Sequence, residues 1–266
     1  MLAAVDWHVV WVRIAHPNHV FFLALTRTVY VAVIAQVMGV VLGVTAALMR
    51  MSKAWPLRFL SGLYVWIFRG TPLLVQIFFI YYGANQLLGF TLIPNTLNVG
   101  LFSLDGAVVG GILALGINEG AYMREIVRAG IDSIDKGQME AAKSLGMRYG
   151  LAMRRIILPQ AARVIVPPLG NEFNNMIKNT SLLFAIGVYE IFADAEIGYS
   201  NSFQPVEYFL GVAFWYLVLT TVWTFIQAAI ERRLAASERG EELSFRERFE
   251  AVWNRGPNIR FGRLPR

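Results

Sequence analysis

Long apolar runs, each about the length of a membrane-spanning helix, constrain this sequence more than any other feature. A helix needs about 20 apolar residues to cross a hydrocarbon core of about 30 Å. Such runs lie at residues 21–49, 57–82, 106–127, 169–188 and 208–230. The chain is 56% hydrophobic and 16% charged, with a mean hydropathy of +0.49, which excludes an ordinary soluble domain. The sequence predicts an all-α, polytopic membrane bundle of about five transmembrane helices.

The positions of Lys and Arg predict how this bundle is oriented. Basic residues crowd the gaps after the first and third runs, whereas residues 83–105 and 189–208 contain none. Because basic loops stay on the cytoplasmic side, we expect the N-terminus outside and the C-terminus inside. The formal charge of +6 is accounted for by these loops and does not indicate nucleic acid. Residues 87–104 are apolar, but Pro94 interrupts them, so they are predicted to form an external loop or a re-entrant piece.

Three parts of the chain differ in character. Residues 1–20 carry Trp7 and Trp11 on one helical face, which predicts an interfacial segment. Residues 21–233 form the predicted membrane domain, and residues 234–266 a cytoplasmic tail that is partly disordered. The chain has no cysteine and only three histidines, all before the first run, so neither a metal site nor thiol catalysis is indicated.

Within the first run, Gly39 and Gly43 have the GxxxG spacing that lets two helices approach closely. We interpret them as a packing feature rather than a functional one.

The segment at residues 137–159, GQMEAAKSLGMRYGLAMRRIILP, is polar and basic in a chain that is otherwise mostly apolar. Helix-forming residues precede Gly146, which can adopt the left-handed conformation that ends a helix. A second helical run follows and is expected to close at Pro159. Ala141 and Ala142 give the first helix a small-residue face that another surface could approach closely. The pattern is therefore a helix, a glycine elbow and a second helix, shaped for docking.

These residues resemble the EAA motif of ABC importer permeases. The resemblance is carried by Glu140, Ala141, Ala142, Gly146, Leu158 and Pro159. In that family the motif is a cytoplasmic loop that docks into the ATP-binding subunit, so the resemblance implies an ATPase-coupling loop at residues 131–166. The alternative is an amphipathic helix on the inner membrane surface.

The stretch RGTPLLVQ in the second run strongly resembles permeases for polar amino acids. It begins at Arg69 and places Thr71 and Pro72 at a helix break inside an apolar run. An arginine inside a membrane costs about 2.5 to 3.5 kcal/mol, so it should face protein, water or the interface. Two interpretations stay open: Arg69 takes part in gating or transport, or it extends its charge to the cytoplasmic surface.

The third run ends in NEGAYMREI, which also looks like these permeases. Asn118 and Tyr122, four residues apart, point in the same direction and are predicted to line the substrate path. Glu119 is an acid inside the run. It either binds a substrate amine or forms a salt bridge with a neighbouring arginine.

Pro167 and Pro168 are expected to break the chain before the fourth run. The fourth run, LGNEFNNMIKNTSLLFAIGV, is the most polar of the five and matches the pattern of the family there. Two adjoining helical rows merge into one polar face: Asn171, Asn174 and Lys178, and Glu172, Asn175 and Asn179. For a zwitterionic substrate, Glu172 could accept the ammonium group, while Lys178 with Thr180 and Ser181 could donate to the carboxylate. Alternatively, Glu172 and Lys178 pair with other helices as structural ions.

Residues 189–207 contain four acidic residues and no basic one, which favours either an acidic surface for a substrate-delivering partner or a solvated loop.

The resemblance as a whole implies a permease subunit of a type I ABC importer for polar amino acids, multi-pass in the bacterial plasma membrane. A second permease chain, identical or similar, two ATP-binding subunits and an external substrate-binding protein would complete it. The sequence contains no GxxxxGK[ST], so ATP and Mg²⁺ are expected on the partner ATPase, and this chain is expected to bind no cofactor. The competing hypothesis is a self-sufficient secondary transporter or channel. The transported amino acid is left open.

Overall fold

Helices make up most of the described chain, which comprises residues 5–89, 93–99 and 102–239 of a computed structural model. The first half contains α1 (Trp7–Ala15), α2 (His19–Met51), α3 (Trp55–Gly70), α4 (Leu73–Phe78), a π-helical segment (Phe79–Gly83), α5 (Ala84–Leu88), β1 (Thr96–Val99) and β2 (Phe102–Asp105). The second half contains α6 (Gly106–Asp132), α7 (Lys136–Ser144), α8 (Tyr149–Ala152), a π-helical segment (Met153–Ile157), α9 (Leu158–Asn179), a 3₁₀ segment (Thr180–Ile186), α10 (Ile191–Ser202) and α11 (Pro205–Arg239).

Helices α2 and α6 pack closely along their length and run in the same direction. A Cβ atom added at Gly39 would lie 2.5 Å from Cγ of Glu119, and one added at Gly43 would overlap the side chain of Met123. Only glycine leaves room for the facing helix at these two positions. The predicted packing role of Gly39 and Gly43 is therefore confirmed, and the partner helix is α6 of the same chain.

The other long helices alternate in direction around this pair. Helix α3 runs against α2, because the hydroxyl of Ser61 donates to the carbonyl of Ala46 at 2.7 Å while Tyr64, further along α3, lies against the more N-terminal Leu42. Helix α9 runs against α6, since its early part packs on Gly130 and the 3₁₀ segment that follows it packs on Gly111. Helix α11 in turn runs against α9. We call the end where α2, α6 and α11 begin the outer end, in accordance with the predicted topology.

By length and hydropathy, α2, α6 and residues 205–234 of α11 qualify as membrane spans, and the bent pair formed by α3 with residues 73–87 is a fourth if both helices belong to one broken span. Helix α9 is long enough, but its polar residues keep it from qualifying. The predicted helical membrane bundle is thus confirmed, while the number of five spans and the orientation of the termini stay predictions.

Two local expectations were wrong. Pro167 and Pro168 do not break the chain, because α9 continues through both. Pro159 does not close a helix, because it lies in the first turn of α9, directly after the π-helical segment.

The apolar stretch before α6, predicted as an external loop or a re-entrant piece, contains two antiparallel strands, β1 and β2, with Thr96 opposite Asp105. Its position relative to the membrane stays a prediction.

Both ends of the chain were predicted as separate segments. Helix α1 lies against the outer part of α11, where the N–H of Asp6 donates to the carboxylate of Glu207 at 2.9 Å. Trp7 and Trp11 on its other face are exposed, as an interfacial helix requires, although contact with lipid stays a prediction. At the other end, α11 extends beyond residue 233 to Arg239, and the rest of the predicted tail lies outside the described residues.

Candidate functional site: a polar path and a coupling surface

The second predicted span is broken where Arg69, Thr71 and Pro72 lie. Helix α3 ends at Gly70, and its axis and that of the following helix differ by 110°. The predicted helix break is therefore confirmed. The Arg69 side chain is exposed, and its guanidinium carbon lies 5.2 Å from the ring centroid of Tyr122 on α6, within cation–π range. This contact holds the arginine against the face of α6 rather than against another charge.

Asn118 lies one turn before Tyr122 on the same face of α6, as the spacing predicted. Its side chain is only 8% exposed, and both N–H groups of its amide are used: Nδ2 donates to the carbonyl of Phe68 at 3.1 Å and to Oε1 of Gln76 at 2.8 Å. Asn118 therefore binds the broken span, and its N–H groups are not available to a substrate in this conformation.

Glu119 is buried between α6 and α2. It accepts a hydrogen bond from Nε2 of Gln36 at 3.1 Å, and within the described part of the chain it forms no ion pair. The expected salt bridge to an arginine was wrong. The reason is geometric: the nearby Arg124 is turned toward Glu125 and Ser61 instead. The alternative, that Glu119 binds a substrate amine, stays a prediction.

The polar face predicted on the fourth run is present on α9. Asn171, Asn175 and Lys178 are exposed, and Glu172 is half-buried beside them. Neither Glu172 nor Lys178 forms an ion pair with a described residue, so the structure gives no support to a role as structural ions.

The two hydroxyl residues at the end of this face are already bonded to the helix. Thr180 is fully buried and donates to the carbonyl of Ile177 at 2.8 Å, so it does not lie on the exposed row. Ser181 is half-buried and donates to the carbonyl of Lys178 at 2.8 Å. Of the two predicted carboxylate donors, only Ser181 is partly open.

Exposed polar side chains at these positions have a physical consequence in a membrane. Lys178 and Arg69 lie on segments that pack into the bundle rather than at its two ends. Ionisable groups at such depth face a protein partner or water, because contact with hydrocarbon costs about 2.5 to 3.5 kcal/mol for each of them. The polar face of α9 and the exposed side of the α3–α4 break are therefore surfaces for a second subunit or an aqueous path.

The segment predicted to dock is a compact pair of short helices. Helix α7 contains Glu140 and Ala141, both exposed, whereas Ala142 is buried against the rest of the chain. Gly146 has φ +79°, and the backbone N–H of Met147 donates to the carbonyl of Ala142 at 3.1 Å, which is the capping pattern expected of a glycine elbow. The predicted left-handed conformation of Gly146 is confirmed.

An apolar tip projects from this elbow. Leu145 is 83% exposed, and Tyr149 and Leu151 are exposed beside it. Large apolar side chains that are exposed together on a polar segment usually mark a protein contact. Leu158 and Pro159 are also exposed, but they lie beyond the π-helical segment at the start of α9.

Behind the tip, the loop is joined to the bundle by a cluster of buried apolar residues. The cluster comprises Ala47, Val127, Ile131, Ile157 and Ala161, with Ile134, Met139, Met153, Ile156 and Ile165 packed against it. It connects α7 and the following π-helical segment to α2, α6 and α9. The loop and these helices therefore share one close-packed apolar interior.

The chain is similar to known transport proteins over most of its length. The family described as "Binding-protein-dependent transport system inner membrane component" matches residues 39–236. The chain belongs to this family. The probable amino-acid ABC transporter permease protein PatM of Vibrio harveyi is 44% identical over 210 residues, which cover 79% of this chain and 89% of PatM.

Two further comparisons place the permease. The arginine transport system permease protein ArgU of Corynebacterium glutamicum is 45% identical over 208 residues, which cover 75% of this chain but only 63% of ArgU. The permease thus spans less than two thirds of the length of that relative. A crystal structure described as an amino acid ABC transporter with histidines superposes with a TM-score of 0.69 at 37% identity, covering 80% of the permease and 94% of that chain.

The outer acidic residues of the permease are not a free surface, so both interpretations of residues 189–207 were wrong for three of the four. Asp194 is buried in an ion pair with Arg13 of α1 and accepts the hydroxyl of Tyr189 at 2.6 Å. Glu190 and Glu207 are also buried. These carboxylates join α1, α10 and α11 rather than facing a partner.

Sequence reasoning missed two glutamines of the permease that organise its polar interior. Gln36 on α2 holds Glu119, and Gln76 on α4 holds Asn118. The available signal was an amide side chain inside an apolar run, where it must find a partner.

Proposed function

We propose that this permease is the transmembrane subunit of an ATP-driven importer of polar amino acids. It forms the translocation path and receives the energy of ATP hydrolysis through the loop at residues 131–166. The names of the relatives, which include an arginine permease and a probable amino-acid ABC transporter permease, support the substrate class. The alternative function is a self-sufficient secondary transporter, and the experiments below distinguish it from the importer.

The single observation that carries the proposal is the pairing of two unpartnered surfaces on one chain. One is formed by the exposed polar residues of α9 and the exposed Arg69 on α3, and the other is the apolar tip at Leu145. The first needs water or a second subunit inside the membrane, and the second needs a protein outside it. A permease that pairs with another permease and docks on an ATPase uses both.

The residues proposed to handle substrate lie along the α9 face. Glu172 accepts the substrate ammonium with help from Asn171 and Asn175, and Lys178 with Ser181 donates to the carboxylate. The buried hydroxyl of Thr180 supports this row from behind, and Glu119 adds a second carboxylate at the α2–α6 seam. Arg69, with Thr71 and Pro72, is proposed to gate the path, stacked on Tyr122.

The proposed partners follow from the chemistry that the chain lacks. Two ATP-binding subunits carry ATP and Mg²⁺, a second permease, identical or similar, completes the path, and an external binding protein delivers the substrate. The coupling contact is proposed to involve Glu140, Ala141, Gly146 and the exposed Leu145, with Ala142, Leu158 and Pro159 shaping the loop.

The first test is to purify the chain gently from its native membrane and to identify stoichiometric partners by mass spectrometry. Recovery of a P-loop ATPase is expected. A chain that is recovered alone, and that moves an amino acid down an ion gradient without ATP, would refute the importer and support the secondary transporter.

The coupling role is tested on the assembled complex with Glu140→Arg and with Gln138→Arg as the matched control. Both positions are exposed on α7, so both variants should insert and fold. We expect Glu140→Arg to lower the amount of amino acid taken up per ATP hydrolysed, whereas Gln138→Arg leaves it near the wild-type value. Equal coupling ratios in the two variants would overturn the assignment of Glu140.

A further inference from the structure

At the break between α3 and α4, two side-chain amides bond a carbonyl that has no backbone donor. In a continuous helix the N–H of residue 72 would donate to the carbonyl of Phe68, but Pro72 has no N–H. That carbonyl instead accepts Nε2 of Gln76 at 2.9 Å and Nδ2 of Asn118 at 3.1 Å. The carbonyl of Ile67, one residue earlier, accepts the hydroxyl of Thr71 at 2.8 Å.

Gln76 is the centre of this arrangement. It is 6% exposed, and its Oε1 accepts Nδ2 of Asn118 at 2.8 Å, so both amide protons of Asn118 are used. Its own Nε2 also lies 2.9 Å from the carbonyl and 2.8 Å from the hydroxyl of Thr71. A buried amide whose partners are all present resists displacement more than a single hydrogen bond does, since each bond orients the next.

The bend is too large to be a consequence of proline alone. Proline kinks a helix by removing one bond and crowding the preceding turn, and kinks above about 20° already count as sharp. Here the two axes differ by 110°. The amide of Gln76 bonds both the last turn of α3 and the adjoining helix α6, which is what a chain folded back so strongly needs to stay in one geometry.

The same face of α6 also contacts Arg69, the residue next to the break. Arg69 directly follows Phe68, and Tyr122, which lies under its guanidinium group, is one helical turn after Asn118. Two residues on successive turns of α6 thus contact this part of α3. Asn118 bonds the carbonyl of Phe68, and Tyr122 lies under the side chain of Arg69. If the hydrogen bonds to the carbonyl of Phe68 are lost, the direction in which the Arg69 side chain points from the end of α3 is no longer fixed.

We propose that Gln76 is a positioning residue for Arg69: through the carbonyl of Phe68 and the amide of Asn118 it sets the angle of the broken span and thereby places the guanidinium group on the path. The inference rests on the proposed function in so far as Arg69 faces the substrate path. Gln76 itself is buried and does not touch the substrate.

The angle is measured first, on the permease assembled with its ATP-binding subunit in lipid nanodiscs. The chain has no cysteine, so spin labels can be attached at Leu57→Cys and Leu87→Cys, which are exposed on the two arms of the bend. With a rise of 1.5 Å per residue, the bent arms place these sites about 25 to 30 Å apart, and a straight helix would place them about 45 Å apart. Samples that carry only one of the two labels serve as a control, because any distance they show lies between two subunits and not within one chain.

We expect a narrow short distance in the wild type and a broader, longer distribution in Gln76→Leu. The matched control is Gln227→Leu, which removes another glutamine amide donated to a carbonyl beside a proline, that of Pro167, at 3.2 Å. This control should keep the wild-type distance. An unchanged distance in Gln76→Leu would overturn the proposal.

Uptake in proteoliposomes then tests whether Gln76 acts through Arg69. The probe is whichever labelled amino acid the wild type accumulates fastest from an equimolar mixture of the common twenty. Gln76→Leu is expected to lower the maximal rate about tenfold in the wild-type background but less than about twofold when Arg69→Met is already present, because coupled residues are non-additive. Equal losses in both backgrounds would show a general structural defect and refute the positioning role.

Failure of the proposed function gives a different result. If the wild type accumulates none of the amino acids with ATP present, the importer is refuted, while the distance between the labels still decides whether Gln76 holds the bend.

Discussion

Glu190 gives the permease a titratable carboxyl in a buried position at the outer end, and we predict that its charge limits stability at high pH. The side chain is 1% exposed and caps α10, accepting the N–H of Ala193 at 2.8 Å and the hydroxyl of Tyr216 at 2.9 Å. The hydroxyl oxygen of Thr28 on α2 lies 3.5 Å from Oε2 of Glu190. Burial raises the pKa of Glu190 from 4.5 to about 7, because the ionised form is desolvated.

The neighbouring charges do not neutralise it. Arg13 is committed to Asp194, and Arg27 donates to the carbonyl of Tyr189 at 3.2 Å. No cation in the described part of the chain forms an ion pair with Glu190.

The magnitude follows from linkage. A carboxyl whose pKa is higher in the folded state binds a proton more tightly there, so its contribution to stability is complete below about pH 4.5 and is lost as the pH rises through about 7. The difference of about 2.5 pKa values corresponds to about 3 kcal/mol. A glutamine amide resembles the protonated carboxyl at every pH, so the change Glu190→Gln should remove this loss.

The assay is thermal unfolding in detergent, followed by tryptophan fluorescence between about pH 5 and pH 8.5. We expect Glu190→Gln to unfold about 6 to 12 °C higher than the wild type at pH 8.5, on the scale of 2 to 4 °C per kcal/mol for a chain of this size, and at nearly the same temperature at pH 5. Asp105→Asn is the control, since Asp105 also caps a helix but is exposed. Parallel pH profiles of the wild type and Glu190→Gln would refute the reasoning.

Three further changes test the packing and the caps. Gly43→Leu should abolish folding of the bundle, measured as loss of a monodisperse peak in detergent, because a Cβ atom there already overlaps Met123. Arg13→Met should lower the free energy of unfolding by about 3 kcal/mol by leaving Asp194 buried without its partner, and adding Asp194→Asn should restore most of the loss. Gly146→Ala should cost about 1 to 2 kcal/mol in thermal unfolding, purely from its φ of +79°, since no atom lies within 4 Å of a Cβ there.

Features that depend on a few neighbouring residues could be predicted from the sequence, and features that depend on distant partners could not. The glycine elbow at Gly146 and the break at Pro72 are local, and both were correct. The two prolines of α9 were misjudged, because α9 stays helical through both of them. A helix in a packed membrane bundle tolerates a proline, since neighbouring helices and small local adjustments of the helix satisfy the freed carbonyls.

The acidic residues near the outer end illustrate the same limit. A run of carboxylates without a basic residue nearby in sequence is typical of a solvated surface, but the cation that pairs with Asp194 is Arg13, 181 residues away. The predicted salt bridge of Glu119 is absent from the described residues, because its carboxylate accepts the amide of Gln36 on α2 and the nearby Arg124 pairs with Glu125. Charge counting along a chain predicts which groups need partners, but only the packing of helices decides which partners they obtain.

The helices that carry the proposed polar path also attach the proposed coupling loop to the bundle. Helix α6 presents Asn118 and Tyr122 to the broken span and, two turns further on, Val127 and Ile131 to the apolar cluster beneath α7. Helix α9 continues from that cluster to its polar face. Close-packed interiors shift as units between alternative arrangements instead of deforming gradually. In the proposed importer, a movement imposed on the loop would therefore reach both walls of the proposed path through α6 and α9.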